Sequence, residues 1–235
     1  MKTNRKFALI AGISILIMAI AAAFTYGYIH NTLVVPGNSE ATLNNLNSNQ
    51  FLFVIEILGW QFILLCDVVV AWALYGFFKN ENRQLSIFTA STRIIYSAFL
   101  GAAIYYLIQI SRTENGNLVM FFLQNFESTW SFGLIIFGFH LFLLGVLVLK
   151  SKYIHSFWGI LLVFAAISYV IIHSSKLLSP EFESQIKLAE TILSLPMAFG
   201  EIGFAFWLII RGGKTKIVYK AITNSYFKAE ERISN

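Results

Sequence analysis

Four ionisable residues lie deep inside apolar stretches of this 235-residue chain: Asp67, Arg93, His140 and Glu201. A charge in hydrocarbon is costly, so such residues face a bundle interior, pair with one another and mark binding, transport or proton transfer. One arginine stands against two carboxylates, which leaves a charge over, and His140 is the expected acceptor. A buried surplus charge takes up a proton, binds a ligand or supports chemistry. The leading expectation is binding or translocation of a small molecule with proton coupling. Arg93 then holds one carboxylate ionised, while His140 and the other carboxylate exchange a proton as the ligand arrives from outside. The alternatives are an intramembrane enzyme acting on a lipid, with or without metal assistance, and a structural accessory membrane subunit whose cluster only fixes packing. Enzymatic activity is the less favoured expectation.

Spacing extends the pattern. Glu56 and Asp67 are eleven residues apart, close to three helical turns, and Glu190 and Glu201 repeat that interval. Each pair places one acid about 16 Å above the other along a helix, which predicts an acidic access path of Glu56 and Glu190. Pro196 cannot donate to the Ile192 carbonyl, so a kink is expected before Gly200-Glu201. Ser86, Thr89, Arg93 and Ser97 form a polar stripe at i, i+3/i+4 spacing, with Tyr96 beside it. Gly133 stacks under His140 and Gly138 under Gly145, small residues of the kind that let helices approach closely.

Several chemistries fail on residue type or position. A bis-histidine haem needs two imidazoles at one depth, but His173 lies some 15 Å above His140 along its helix. His30 and His173 share the outer level, where histidines are ordinarily solvated. A metal held by Asp67, His140 and Glu201 has suitable donors, but the Arg93 charge beside them disfavours a cation, and no HExxH occurs. Cys66 adjoins Asp67 in sequence, yet neighbours on a helix point about 100° apart. GxSxG, P-loop and GxGxxG motifs are absent. No cofactor is predicted.

The elements that position these residues are membrane helices. Hydrophobic residues make up 57% of the chain and charged residues 12%, about half the charge of a typical soluble domain. Six apolar blocks stand out: Phe7–Ile29, Phe51–Phe78, Leu85–Ile110, Trp130–Leu149, Ile154–Ser174 and Ala189–Ile210. Each approaches the roughly 20 residues needed to span hydrocarbon. The predicted fold is therefore an all-α polytopic bundle of six transmembrane helices in one domain. The net charge of +5 flanks these blocks and forms no nucleic-acid stripe. Thirteen Lys and Arg lie at the N-terminus, the alternate connections and the 211–235 tail, against Arg112, Lys176 and Lys187 in the others. The positive-inside rule then predicts that both termini are cytoplasmic. The basic N-terminus, apolar run and Ala21-Ala22-Ala23 also fit a cleavable secretory signal. The run continues to Ile29, so a retained helix is expected. Pro36-Gly37-Asn38 marks an irregular outer loop, and Leu118–Phe122 within the loop 111–129 is expected to form a short interfacial helix. Counted from their inner ends, the four charged residues sit about 9 to 12 residues in, at one depth near the midplane of a roughly 30 Å core.

The chain resembles a bacterial membrane family catalogued as domain of unknown function 4386, from about Gly12 to Gly212. The likeness is carried by Val35-Pro36-Gly37-Asn38 with Ala41-Thr42 and Asn45, by Cys66-Asp67-Val68, and by Asn82-Arg83 and Arg93. It continues through Gly133-Leu134-Ile135-Ile136-Phe137-Gly138-Phe139-His140-Leu141, Gly145, and Leu149-Lys150-Ser151-Lys152-Tyr153 with Trp158-Gly159. Gly200-Glu201, Trp207-Leu208 and Gly212 end it. His155 stands where the family leads one to expect a proline. The resemblance implies a bacterial inner-membrane protein with this helical arrangement, and it implies no reaction.

Overall fold

The computed structural model describes residues 2–214. Lys216, Lys220, Lys228 and Arg232, which weigh in the predicted orientation, lie outside the described residues. Helix α1 spans Lys2–Ala22 and passes through a π-helical segment, Ala23–His30, into the short α2, Asn31–Leu33. After the loop come α3 (Ser39–Ser48), α4 (Gln50–Phe78), α5 (Arg83–Ile110), α6 (Gly116–Lys150), α7 (Ser156–Leu178) and α8 (Glu183–Ile210). Six of these helical stretches are long and apolar enough to cross a membrane.

Local chemistry starts the helices. Asn38 caps α3 by accepting from the Ala41 N–H (3.0 Å), Asn82 caps α5 from Leu85 (3.0 Å), and Asn115 caps α6 from Asn117 (3.0 Å). His155 does the same for α7, its Nδ1 accepting from the Phe157 N–H at 3.2 Å. The turn expected to suit proline is thus made with an imidazole cap. The Val35–Asn38 motif is structural as well. Gly37 supplies a φ of +74°, and the buried Thr42 hydroxyl donates to the Asn38 carbonyl (2.8 Å) and accepts from the Val35 N–H (3.0 Å).

Two expectations need correction. The stretch 111–129 carries no separate interfacial helix. Only the residues just before Gly116 leave the helical path, and Leu118–Phe122 is part of α6. The residues around Glu127 are mostly polar, but neither Gly nor Pro interrupts the stretch from Asn117 to Trp130, so the helix runs on into the apolar block. The irregular outer loop marked by Pro36-Gly37-Asn38 is short, because Asn38 caps the helix α3 that follows it at once. Pro196 sits inside α8, which continues through it unbroken.

The spanning helices close into a ring in chain order: α1 packs on α4, α4 on α5, α5 on α6, α6 on α7, α7 on α8, and α8 back on α1. The closing contact is specific. Arg5 donates to the carbonyls of Leu208 (3.1 Å), Gly212 (2.9 Å) and Ile209, all at the α8 C-terminus. Carbonyls in the last turn of a helix lack the usual i+4 helical donors, and Arg5 supplies these with side-chain bonds. A Cβ added at Gly12 would lie 2.7 Å from the Ala205 carbonyl oxygen, so the two backbones nearly touch.

Candidate functional site

On α5, Ser86, Thr89, Arg93, Tyr96 and Ser97 are all buried. The hydroxyls of this stripe satisfy themselves: Ser86, Thr89 and Ser97 donate to the carbonyls four residues back, at 2.7, 2.7 and 2.9 Å. Ser97 therefore braces the backbone at Arg93. On α4, Glu56, Trp60, Ile63, Asp67 and Val70 fall on one buried face at intervals of three or four residues. Helix α6 delivers Gly133, Phe137 and His140 to the interior, and α8 delivers Glu201 beside buried Gly200 and Phe204.

These faces meet at Arg93, which is fully buried. Its Nε donates to Asp67 Oδ1 at 2.9 Å, and Nη2 reaches the same oxygen at 2.6 Å. Nη1 and Nη2 donate to Glu201 Oε1 at 3.2 and 3.3 Å. Nη2 also approaches Met18 Sδ of α1 at 3.8 Å, and the guanidinium carbon lies 5.1 Å from the Phe137 ring centroid. One side chain thereby ties α1, α4, α6 and α8 to α5. Such a planar fork with five donors suits arginine and no other residue.

His140 has a defined role. Its Nδ1 lies 2.8 Å from the Thr89 carbonyl oxygen, and a carbonyl can only accept, so Nδ1 carries the proton. Its Nε2, 3.2 Å from Arg93 Nη1, then presents a lone pair to a donor. Both nitrogens are occupied with the imidazole neutral. The expectation that His140 takes up the left-over charge gives way to this geometry, and the surplus negative charge rests on the two carboxylates. Asp67 Oδ2 is buried with no hydrogen-bond partner, and the Glu201 side chain is the most open of the four at 16% exposure.

Asp67, His140 and Glu201 all point at the Arg93 guanidinium, so a cation at their centre would share the space with a fixed positive charge. Among the described residues, no three His, Cys, Asp or Glu side chains are placed to hold a metal ion.

The other sequence candidates separate. Glu56 is buried and bonded to His30 Nδ1 at 2.6 Å, with Glu127 Oε1 3.8 Å from the opposite imidazole nitrogen. Glu190 instead pairs with Lys176 at 2.7 Å, with both side chains about one-third exposed (37% and 34%). The two acids are thus in different environments. Tyr96 is buried and packs on Phe137, with ring centroids 5.0 Å apart. Two histidines expected to be solvated at the outer level, His30 and His173, are instead buried. His30 is buried against Glu56, and His173 is buried with Ser131 Oγ 2.8 Å from its Nδ1. Only the i, i+4 interval of Tyr26 and His30, and of Tyr169 and His173, hinted at this, since each tyrosine stacks on its histidine.

Comparison with known proteins gives the same frame. The family model described as "Domain of unknown function (DUF4386)" matches residues 10–212. A protein of Archaeoglobus fulgidus described as "Uncharacterized protein" is 32% identical over 163 residues, covering 68% of this chain and 86% of that protein. No solved structure matches. With Asp67, Arg93, His140 and Glu201 all inside the matched region, the chain belongs to the DUF4386 family of proteins with a domain of unknown function.

Proposed function

We propose that the chain binds a small molecule at the midplane cluster, and couples that binding or its translocation to the exchange of one proton. The observation that supports this is the charge inventory: one guanidinium, two carboxylates and an imidazole fixed as neutral, away from water. A buried unbalanced charge is worth several kcal/mol, so it recruits a proton or a cationic group. Arg93 neutralises one of the two negative charges. The exchangeable proton then belongs to the Asp67–Glu201 pair, and a small molecule with a cationic group is the ligand that would displace it.

The test is a thermal-shift series on purified protein with small primary and quaternary amines across pH. A ligand at about 100 times its Kd should stabilise the protein by about 2.7 kcal/mol. Glu201→Gln should fold and lose both the stabilisation and its pH dependence. Equal responses from wild type and Glu201→Gln would place binding elsewhere.

Orientation belongs to the same proposal. With positive residues inside, the Glu56 end of the bundle faces outward. Reporter fusions after Lys79, Lys152 and Arg232 should read cytoplasmic, and those at Asn45, Asn115 and Glu183 external. A C-terminal fusion reading external would invert the direction of access. The resemblance implies the bacterial inner membrane as the site.

A further inference from the structure

Among the described residues, four buried side-chain polar atoms have no hydrogen-bond partner: His30 Nε2, Trp60 Nε1, Trp130 Nε1 and Asp67 Oδ2. Native interiors leave few such atoms, and those that remain are ordinarily met by ordered water. These four are not scattered. Trp60 and Trp130 are packed edge to face with ring centroids 4.8 Å apart, and Tyr26, which stacks on His30 at 5.1 Å, touches both indoles. Trp60 lies one turn below Glu56 and two turns above Asp67 on the same face of α4. Tyr96 of α5 is buried at the lower end, its ring centroid 5.0 Å from that of Phe137.

The upper end is built for the purpose. The π-helical turn Ala23–His30 is an uncommon geometry that gathers at functional sites. It lets Tyr26 and His30 face α4 and α6 together. The charged groups facing the imidazole are Glu56 of α4, at 2.6 Å, and Glu127 of α6, at 3.8 Å, with the Phe126 ring packed beside it. Glu127 is half exposed, while Glu56 is buried. An exposed acid, a buried imidazole and a buried acid thus lead inward in that order.

We propose that a file of ordered water runs from the His30–Glu56 pair past Trp60 and Trp130 to Asp67, and that it is the route by which the midplane site exchanges its proton. This deepens the function proposed above and rests on it. Glu56 and Asp67 are about 16 Å apart along α4, a gap of about five waters at hydrogen-bonding spacing. The indole N–H groups donate to the waters, and Asp67 Oδ2 accepts from the last of them. Glu56 takes a proton from the outer end and releases it to the next water inward. His30 is a positioning residue that holds the Glu56 carboxylate through Nδ1. The route is separate from Glu190, which the eleven-residue repeat alone would have included.

Infrared difference spectroscopy after a pH jump, on the full chain in lipid nanodiscs, tests this. The buried carboxyl stretches are assigned by their loss in Asp67→Asn and Glu201→Gln. Trp60→Phe keeps the ring and removes only the N–H, and it should slow the appearance of the carboxyl signal about tenfold, the effect of raising a barrier by roughly 1.4 kcal/mol. Glu56→Gln should slow it further, with the final amplitude unchanged in both. Glu190→Gln should leave the rate as in wild type. If the signal is present but Trp60→Phe and Glu56→Gln keep the wild-type rate, or if Glu190→Gln slows it, the route is overturned while the midplane site stands. If wild type gives no carboxyl signal that these substitutions remove, the proton-exchanging site itself falls, and the route with it.

Discussion

Arg93→Leu should destabilise the bundle by about 3–5 kcal/mol, measured by steric trapping or detergent-induced unfolding. The leucine fills part of the volume but leaves Asp67 and Glu201 facing each other without their shared donor. It also leaves His140 Nε2 without a hydrogen bond and removes the cation from the face of Phe137. The pair Arg93→Leu with Asp67→Asn should cost less than the two single changes added together, because neutralising the acid removes the charge that the first change strands. Additive costs would mean that the groups are not energetically coupled. Replacing all four residues by apolar ones of similar volume separates the functional readings. Buried ion clusters are often no more stabilising than well-packed hydrophobic residues. Retained folding with loss of ligand response would assign the cluster to binding, whereas a scaffold would keep every measurable property.

Gly145→Leu should be strongly damaging although it lies away from the charged cluster. A Cβ at Gly145 would lie 2.7 Å from Val163 Cγ2 and 3.0 Å from the Gly159 carbonyl oxygen. The Val163 methyl can shift, but the Gly159 backbone cannot move without displacing α7. Overpacking a close contact costs about 1–3 kcal/mol, and a leucine at a backbone crossing falls at the upper end. The same crossing holds Gly138, whose added Cβ would meet the Ala166 carbonyl at 3.1 Å. The effect should propagate to the site, since α6 carries both these glycines and His140. Gly27→Ala, with nothing within 4 Å of its added Cβ, is the matching control. Comparable unfolding free energies for the Gly145 and Gly27 variants would mean that α6 and α7 are not held at this distance.

These two positions mark what sequence could and could not supply. Hydropathy is a property of consecutive residues, so six spans could be read before any packing was known. Depth is nearly as direct, because a helix rises a fixed distance per residue. Asp67, Arg93, His140 and Glu201 could therefore be placed at one level, and the structure brings them together. Rotation about each helix axis has no such ruler. The eleven-residue interval put Glu56 and Glu190 on equal footing, yet Glu56 turns inward to His30 while Glu190 meets Lys176 at the surface. Gly133 stacks along the α6 face towards His140 but packs on Tyr96 and Phe99 of α5, whereas Gly138 and Gly145 pack on α7. Sequence also left His140 with either protonation state, because that depends on which atom lies opposite each nitrogen. Only the ring order of the helices sets the Thr89 carbonyl against Nδ1 and the guanidinium against Nε2. Identity and depth are fixed along one chain, while partners depend on how separate helices pack around each other.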